Sequence, residues 1–569
     1  MSEHSGGKSR IFKIIGLVAA VLVIIAVTVL ALPSLSNSNI SVPGDHRTIQ
    51  EAIDAAEDGA VIIVEPGVYY EQIDFSGKNI TLRSSDPEDP EVVAGTVIDG
   101  RKRGTVVSFR NGEGEGAVLQ GFTITNGAGT RDQVVYEEDE EEVVSEGYFG
   151  GGIFISGGSS PTITGNIITG NDVELDGGGI AVLGNSNPVI RDNILDGNSS
   201  YSGAGIMVWE SSPIIEENTF RHNRSRYLGG AISVDFGSSP SISANEMHNN
   251  SATGGGAIAV WLADPVITDN TIRNNSSIWT GGGISVIDSS PTIDGNDITR
   301  NTARNLGGGI SVSGSAAAPT ISNNQINRNY TDDNGGGIAL TDGSEATIID
   351  NTISENTVLL GGGGIYARDS SPTINSNTIQ KNIVQQDGAG IALLNSSAPE
   401  IVGNIIDENT AGRAGGGLVV AEESTAYLED NTITGNQAAT GGGLIIQRSS
   451  LTMINNMVTD NAAMEGSGGG LILVNNAVAE IRGNSFTGNS ASDVGGALVA
   501  YEESMVTLRE NDFTGNSAEL GGAFIGFGDA SIDLSDPDDN TYSGNIPEDI
   551  EDEEQDEVED EEEDENGED

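Results

Sequence analysis

The sequence predicts an all-β protein: a single-stranded parallel β-helix solenoid closed at its N-terminal end by a short capping helix, with a transmembrane helix before it and a disordered acidic tail after it. Three observations predict the solenoid. First, an aliphatic or aromatic residue preceded by small residues recurs at Ile153, Ile180, Ile206, Ile232, Ile258, Ile284, Ile310, Ile338, Ile365, Ile391, Leu418, Leu444, Leu471, Leu498 and Phe524, fourteen intervals over 371 residues with a mean of 26.5. Periods of about 20–50 residues belong to solenoids, propellers and arrays. Second, an asparagine pair spaced N-x-(I/F/M/V)-x-x-N follows at the same period, from Asn166/Asn171 through Asn296/Asn301 and Asn431/Asn436 to Asn540/Asn545. Third, the apolar segments are only three to five residues long, alternate in polarity, and are broken by Gly, Asn and Pro. No segment holds a helical stripe of ten residues, and a propeller blade would need about 40 residues in four longer strands.

The elements follow in chain order. Residues 1–13 are basic, carrying Lys8, Arg10 and Lys13, and precede an uncharged run over 14–32. A helix of that length spans about 28 Å, close to the thickness of a bilayer's hydrocarbon core. Basic residues on its N-terminal side leave that end cytoplasmic and the remainder extracytoplasmic. The stretch Leu30-Ala31-Leu32-Pro33 is a poor cleavage site, so an uncleaved anchor is favoured over a signal peptide, whose removal would release a secreted protein. Residues 33–46 read as a linker. Over 47–149 come a cap and irregular first coils: Ile49, Ala52, Ile53 and Ala56 lie at helical spacing within Thr48–Asp58, and short strands are expected at 61–64, 80–82, 97–98, 106–107 and 118–124. A helix there covers the open end of the first coil, which would otherwise template aggregation. An insertion over 130–147, with its acidic run Glu137–Glu142, reads as a loop. Residues 150–546 form about 15 regular coils, in which aliphatics stack inside and each asparagine bonds its neighbours in the coils above and below. Residues 547–569 are a tail; 17 of the 22 residues from Glu548 to Asp569 are acidic, too dense a charge to collapse.

Composition removes several functions. The chain has 569 residues, 79 of them Gly, a net charge of −60 and no Cys. Disulfides, thiolate metal sites and a cysteine nucleophile are thereby excluded. A field of that sign repels nucleic acid, so nucleic acid is not expected as a partner. Acidic clusters can loosely capture Ca²⁺, which leaves Ca²⁺ open as a ligand. Solubility in a salty medium is the simpler reading, because no D-x-D-x-D-G loop or glycine-aspartate nonapeptide is present, and no cofactor is required.

The stretch Thr48-Ile49-Gln50-Glu51-Ala52-Ile53, with Val61-Ile62-Ile63-Val64-Glu65-Pro66-Gly67-Val68-Tyr69, resembles the opening of right-handed parallel β-helix repeat proteins of the pectate-lyase-like class. The stretch Gly121-Phe122-Thr123-Ile124-Thr125-Asn126-Gly127 and the later G-G-G-I and N-x-I-x-x-N units resemble that class too. The likeness covers about residues 40–546 and implies the fold and its right hand. The fold carries lyases, hydrolases, epimerases, adhesins and proteins of no known activity, so it does not imply one reaction. The arginine-rich motif of pectate lyases and the aspartate cluster with G-H-G of polygalacturonases are not found.

Column alignment singles out one region. Three residues past the repeated aliphatic is an outward position, and successive coils place Trp209, Asp235, Trp261 and Ile287 there. Two exposed tryptophans about 9.6 Å apart with a carboxylate between them would suit sugar rings and their hydroxyls. The same coils carry Arg221, His248 and Arg273 in one column, His222, Arg300 and Arg328 in the next, then Arg224, Arg226 and Arg304 with Tyr201 and Tyr227. Such a strip could hold a uronate or sulfated glycan through guanidinium–carboxylate pairs. The structural alternative is that the arginines balance Glu216, Glu217 and Asp269, that the tryptophans pack under loops, and that the two columns face apart. Two functions follow: a membrane-anchored surface protein that binds polysaccharide or other envelope components without catalysis, or a lyase or hydrolase of acidic glycans. For a hydrolase, Glu210 and Asp235 on adjacent coils are the candidate carboxylate pair; for a lyase, Arg221 with nearby acids.

Overall fold

A computed structural model describes residues 39–138, 141–534 and 539–547. It is a right-handed parallel β-solenoid of about 17 turns, about 80 Å long at 4.8 Å per rung. Each regular coil runs through four short strands, represented by Ile180–Leu183 (sheet 1), Val189–Arg191 (sheet 2), Ile194–Asp196 (sheet 3) and Ser199–Ser200 (sheet 4). The fourth, two residues long in most coils, is too short to register as a strand from sequence.

Residues one period apart lie directly over one another. Ile180 pairs with Ile206 and Ile206 with Ile232, all fully buried, and the column continues through Leu418, Leu444, Leu471 and Leu498 to Phe524. The interior is a single hydrophobic shaft, which is what a repeat unit with one apolar face must build, since no coil can bury that face alone.

The corners explain the rest of the motif. Asn193 is representative of the first asparagine column. Its backbone N–H and Nδ2 both donate to Oδ1 of Asn218 one coil on (3.0 Å each), and Nδ2 also donates to the carbonyl of Ile163 (2.8 Å) in the coil before. The amide supplies two N–H donors and a carbonyl acceptor on one short side chain, and Asn fills the position in every regular coil. The second column repeats the arrangement, as at Asn198 and Asn223. The residue before each ladder asparagine is left-handed, such as Asp192 (φ 54°) and His222 (φ 54°). The glycine triplet has two separate causes. Gly177 is left-handed (φ 73°), whereas a Cβ on Gly178 or Gly179 would sit 2.7 or 2.5 Å from the carbonyl oxygen of Ala204 or Gly205 in the next coil. Serines of the S-S-P turns add a further ladder, with Ser186 N–H donating to Ser211 Oγ and Ser211 N–H to Ser238 Oγ (3.2 Å each).

At the N-terminal end, helix α1 (Ile49–Ala55) is capped by the Thr48 side chain, which accepts from Glu51 N–H, and buries Ile49, Ala52 and Ile53 over the first coil. The segment read as a linker holds a strand, Asn39–Val42, paired with Val61–Val64; it precedes the repeat and carries no periodicity. A second short helix, α2 (Pro90–Gly95), starts at Asp89 with Pro90 in its first turn. The acidic insertion is not a loop. Its two halves, Thr130–Glu138 and Glu141–Phe149, pair antiparallel as a long hairpin. The candidate anchor at 14–32 and most of the tail (548–569) lie outside the described residues, among which no helix is long and apolar enough to cross a membrane.

Candidate functional site

The column Trp209–Asp235–Trp261–Ile287 is in register on sheet 1, as its spacing predicts. Its exposure is not as predicted. Trp209, in an apolar layer that the hairpin arm joins, is only 6% exposed, and Asp235 only 3%. Val134 of the hairpin joins Phe149, Phe154, Ala181, Leu183, Met207 and Trp209 in a second apolar cluster, distinct from the shaft. The outward position is therefore a second core here. Arg110 ties the arm down through Asp132 (2.8 Å) and lies over the ring of Phe154 (4.9 Å).

Asp235 stands on the rung between the two tryptophans, but the side chain that packs against both indoles is that of the next residue. Phe236, in the left-handed region (φ 43°), sits between them, with its ring centre 4.2 Å from Trp209 and 4.8 Å from Trp261. A bulky apolar residue at a turn position that elsewhere, Leu262 and Arg448 apart, holds Asp, Asn, Glu or Gly was the signal for it. Asp235 turns to Ser233, whose hydroxyl donates to it (3.0 Å), and lies close enough to Asp176 for the two charges to interact. Asp176, which the sequence reading did not single out, is 7% exposed and accepts the backbone N–H of Ser202 (2.9 Å). Burial pushes Asp176 up to about 7, against the opposing pull of the Ser202 N–H and the Arg226 guanidinium. Burial, and then the charge of Asp176, lifts Asp235 well above the ordinary carboxylate range.

Glu210 faces a different environment from Asp235. It is exposed and lines an open groove of about 920 Å³ with Asn185, Asn187, Ser211, Ser212, Phe236 and Leu262, on the edge where each sheet 1 strand ends. Asp235 is not part of that lining. The pair expected for hydrolysis is thus divided between a sealed layer and an open groove. Two further recesses follow on the same edge, about 350 Å³ around Asn395, Glu422 and Arg448, and about 450 Å³ around Asn476, Tyr501 and Glu502.

The basic column is real but lies elsewhere. Arg221, His248 and Arg273 are in register on sheet 3, not on sheet 1, so they do not share the groove with the tryptophans. They are balanced by acids other than those expected. Arg221 Nε (3.0 Å) and His222 Nδ1 (3.0 Å) both meet Asp196, and Arg273 pairs with Glu246. Partial burial, and then the charge of Arg273, holds the His248 imidazole below its ordinary value. Among the described residues no group of three or more His, Asp or Glu side chains could hold a metal ion.

Comparison with known proteins agrees with this architecture. The family model described as "Right handed beta helix region" matches residues 105–266, 202–326, 256–432 and 416–553. A search of curated proteins gives no match. Among solved structures, a chain described as "The complex structure of XylC with xylose" is 11% identical, with 87% of this chain and 83% of that chain covered and a TM-score of 0.21, a likeness too slight to carry any argument.

Proposed function

The chain belongs to the right-handed β-helix family, and from that premise we propose that it is an extracytoplasmic surface protein, anchored by residues 14–32, that binds polysaccharide or another envelope component without catalysis. The observation that carries this reading is the groove at Glu210. Its lining pairs two apolar side chains, Phe236 and Leu262, with the hydrogen-bonding groups of Asn185, Asn187, Glu210, Ser211 and Ser212. Sugar rings present the same mixture, C–H faces for aromatic and aliphatic contact and hydroxyls for amide, hydroxyl and carboxylate partners. Recurrence of the recess along one edge of the rod favours an extended polymer over a compact ligand.

Catalysis in a repeat fold is expected where titratable groups converge in an open cleft. Among the described residues the strongly perturbed carboxyls, Asp176 and Asp235, are buried and do not line an open cleft, which favours binding over turnover. The test is retention of the full-length protein on a panel of polysaccharide affinity gels. Glu210→Ala with Leu262→Ala is expected to weaken retention at least tenfold on the gel that binds wild type, and unchanged retention would sink the groove as the site. Release of oligosaccharides or unsaturated ends from a uronate-polysaccharide panel, with or without Ca²⁺, would favour the enzymatic alternative.

A further inference from the structure

The strict coil-to-coil register of sheet 4 breaks once among the described residues. The strands of this sheet are mostly two residues long, but Ser251–Gly254 and Ser276–Thr280 run to four and five. Their pairing passes from Ala252↔Ser277 to Gly254↔Thr280, so the single residue Thr253 opposes both Ile278 and Trp279. A bulge of this kind re-aims side chains and is placed, not accidental. Trp279 is 60% exposed and Ile278 is exposed beside it, whereas Trp209 is buried. The indole is not on a loose loop, because the Trp279 carbonyl accepts N–H groups of both Asn305 (3.0 Å) and Leu306 (3.1 Å) in the next coil.

The rungs below continue the column. Tyr227 N–H donates to Tyr201 O (2.8 Å) and Thr253 N–H to Tyr227 O (2.9 Å), so Tyr201, Tyr227, Thr253 and Trp279 occupy four successive coils. The Tyr201 and Tyr227 rings stack on each other at 5.3 Å, and both side chains are exposed. Thr253 is the one small residue in the series. It leaves a notch two rungs wide, about 9.6 Å between the levels of Tyr227 and Trp279. Ring contacts begin at about 4.5 Å between centres, so one sugar ring seated in the notch reaches both aromatic sides.

Cations flank the notch. Arg224 lies three residues before Tyr227 and Arg304 immediately before Asn305; both are exposed and neither forms an ion pair among the described residues. Arg226, by contrast, is committed to the carbonyls of Val173 and Glu174. Arg224 stands on the rung of Tyr227 and Arg304 on the rung after Trp279, while the carboxylates of Asp332 and Asp333 stand one coil further on.

We propose that Tyr227, Thr253 and Trp279, flanked by Arg224 and Arg304, form a second glycan site, on sheet 4, for a uronate-bearing polysaccharide running along the axis of the solenoid. The proposal rests on the reading of this chain as a polysaccharide-binding protein and adds a separate face and a ligand class to it.

The experiment is affinity electrophoresis of the full-length protein in gels containing polygalacturonate or neutral xylan, at two salt concentrations. Wild type is expected to be retarded by polygalacturonate and much less by xylan. Tyr227→Ala with Trp279→Ala should weaken that retardation at least tenfold, and Arg224→Gln with Arg304→Gln should weaken it and flatten its salt dependence. Lys381→Gln, at an exposed cation paired with Glu408 outside both sites, should change it less than twofold. Retardation that survives loss of Tyr227 and Trp279 but not of Glu210 and Leu262 overturns this site and leaves the groove reading standing. Equal retardation by the neutral polymer overturns the ligand class. Wild type running freely in both of these gels overturns the site, and only freedom from every polysaccharide of the wider panel would also remove the reading on which it rests.

Discussion

Two kinds of buried polar residue behave oppositely in this molecule. A ladder asparagine is fully satisfied in place: Asn301 donates its backbone N–H and Nδ2 to Asn329 Oδ1 (2.9 and 3.2 Å) and Nδ2 also to Ile272 O (2.8 Å). Asn301→Asp removes the Nδ2 donor and buries a charge, and the coil is expected to lose on the order of 3 kcal/mol, read as faster amide exchange confined to neighbouring coils. Asp176 is instead held at a cost. Its folded value, about 7, exceeds the ordinary 3.8, so the folded state retains a proton that the unfolded chain gives up. Stability is therefore lost as pH rises from about 4 to 7, and the penalty is complete above 7. Asp176→Asn keeps the acceptor for Ser202 N–H and should stabilise the protein at pH 8 by up to about 4 kcal/mol, a gain that shrinks toward pH 4.5. An equal gain at both pH values in thermal melts would contradict the assignment. Asp176 was readable in principle, four residues before Ile180 in a column that holds a carboxylate only there and at Asp387. Its partner Asp235 was read, but as a surface group, since strand alternation says which face a side chain takes and not what later covers that face.

At the level of elements, the hairpin at 130–149 joins the apolar layer on that face. The sequence placed an acidic insertion there and read a loop, because the run Glu137–Glu142 obscures the alternation on either side of it. What aligns in columns by counting was legible: the shaft, both asparagine ladders and the basic column stand where counting puts them, and the capping helix where helical spacing does. The hairpin has no counterpart in any other coil, and counting is silent about it. The strand at Asn39–Val42 escaped for the same reason, whereas Phe236 stands in a turn column, where strand alternation does not say which way a side chain packs. The arm makes a clear prediction. Val134→Asp should lift it from the Phe154–Met207–Trp209 cluster. In a background where Trp261 and Trp279 are replaced by Phe, the emission of Trp209 should then shift to the red, while circular dichroism of the solenoid stays unchanged. Emission that does not move would mean the arm is not what shields that indole.

Across the whole molecule, the backbone ladder joins each regular coil only to its two neighbours, so stability is close to a sum over rungs and interfaces. Excision of residues 284–309 joins Gly283 to Ile310 and preserves the glycine corner, both ladders and the inward phase of every remaining strand, because Ile284 and Ile310 occupy one column. The shortened protein is expected to fold, with its rod about 5 Å shorter by small-angle scattering. Removing 13 residues from the same place should abolish folding, since it would drive polar turn residues into the shaft.

The asparagine link is the same at every level, with one amide handing its oxygen to the rung behind it. A column whose joints are interchangeable carries no record of how many it contains. Extent is then an open variable in this architecture, bounded only by what is fitted at the two ends, and duplication of a single coil in the gene would lengthen the surface on offer without redesigning anything already there.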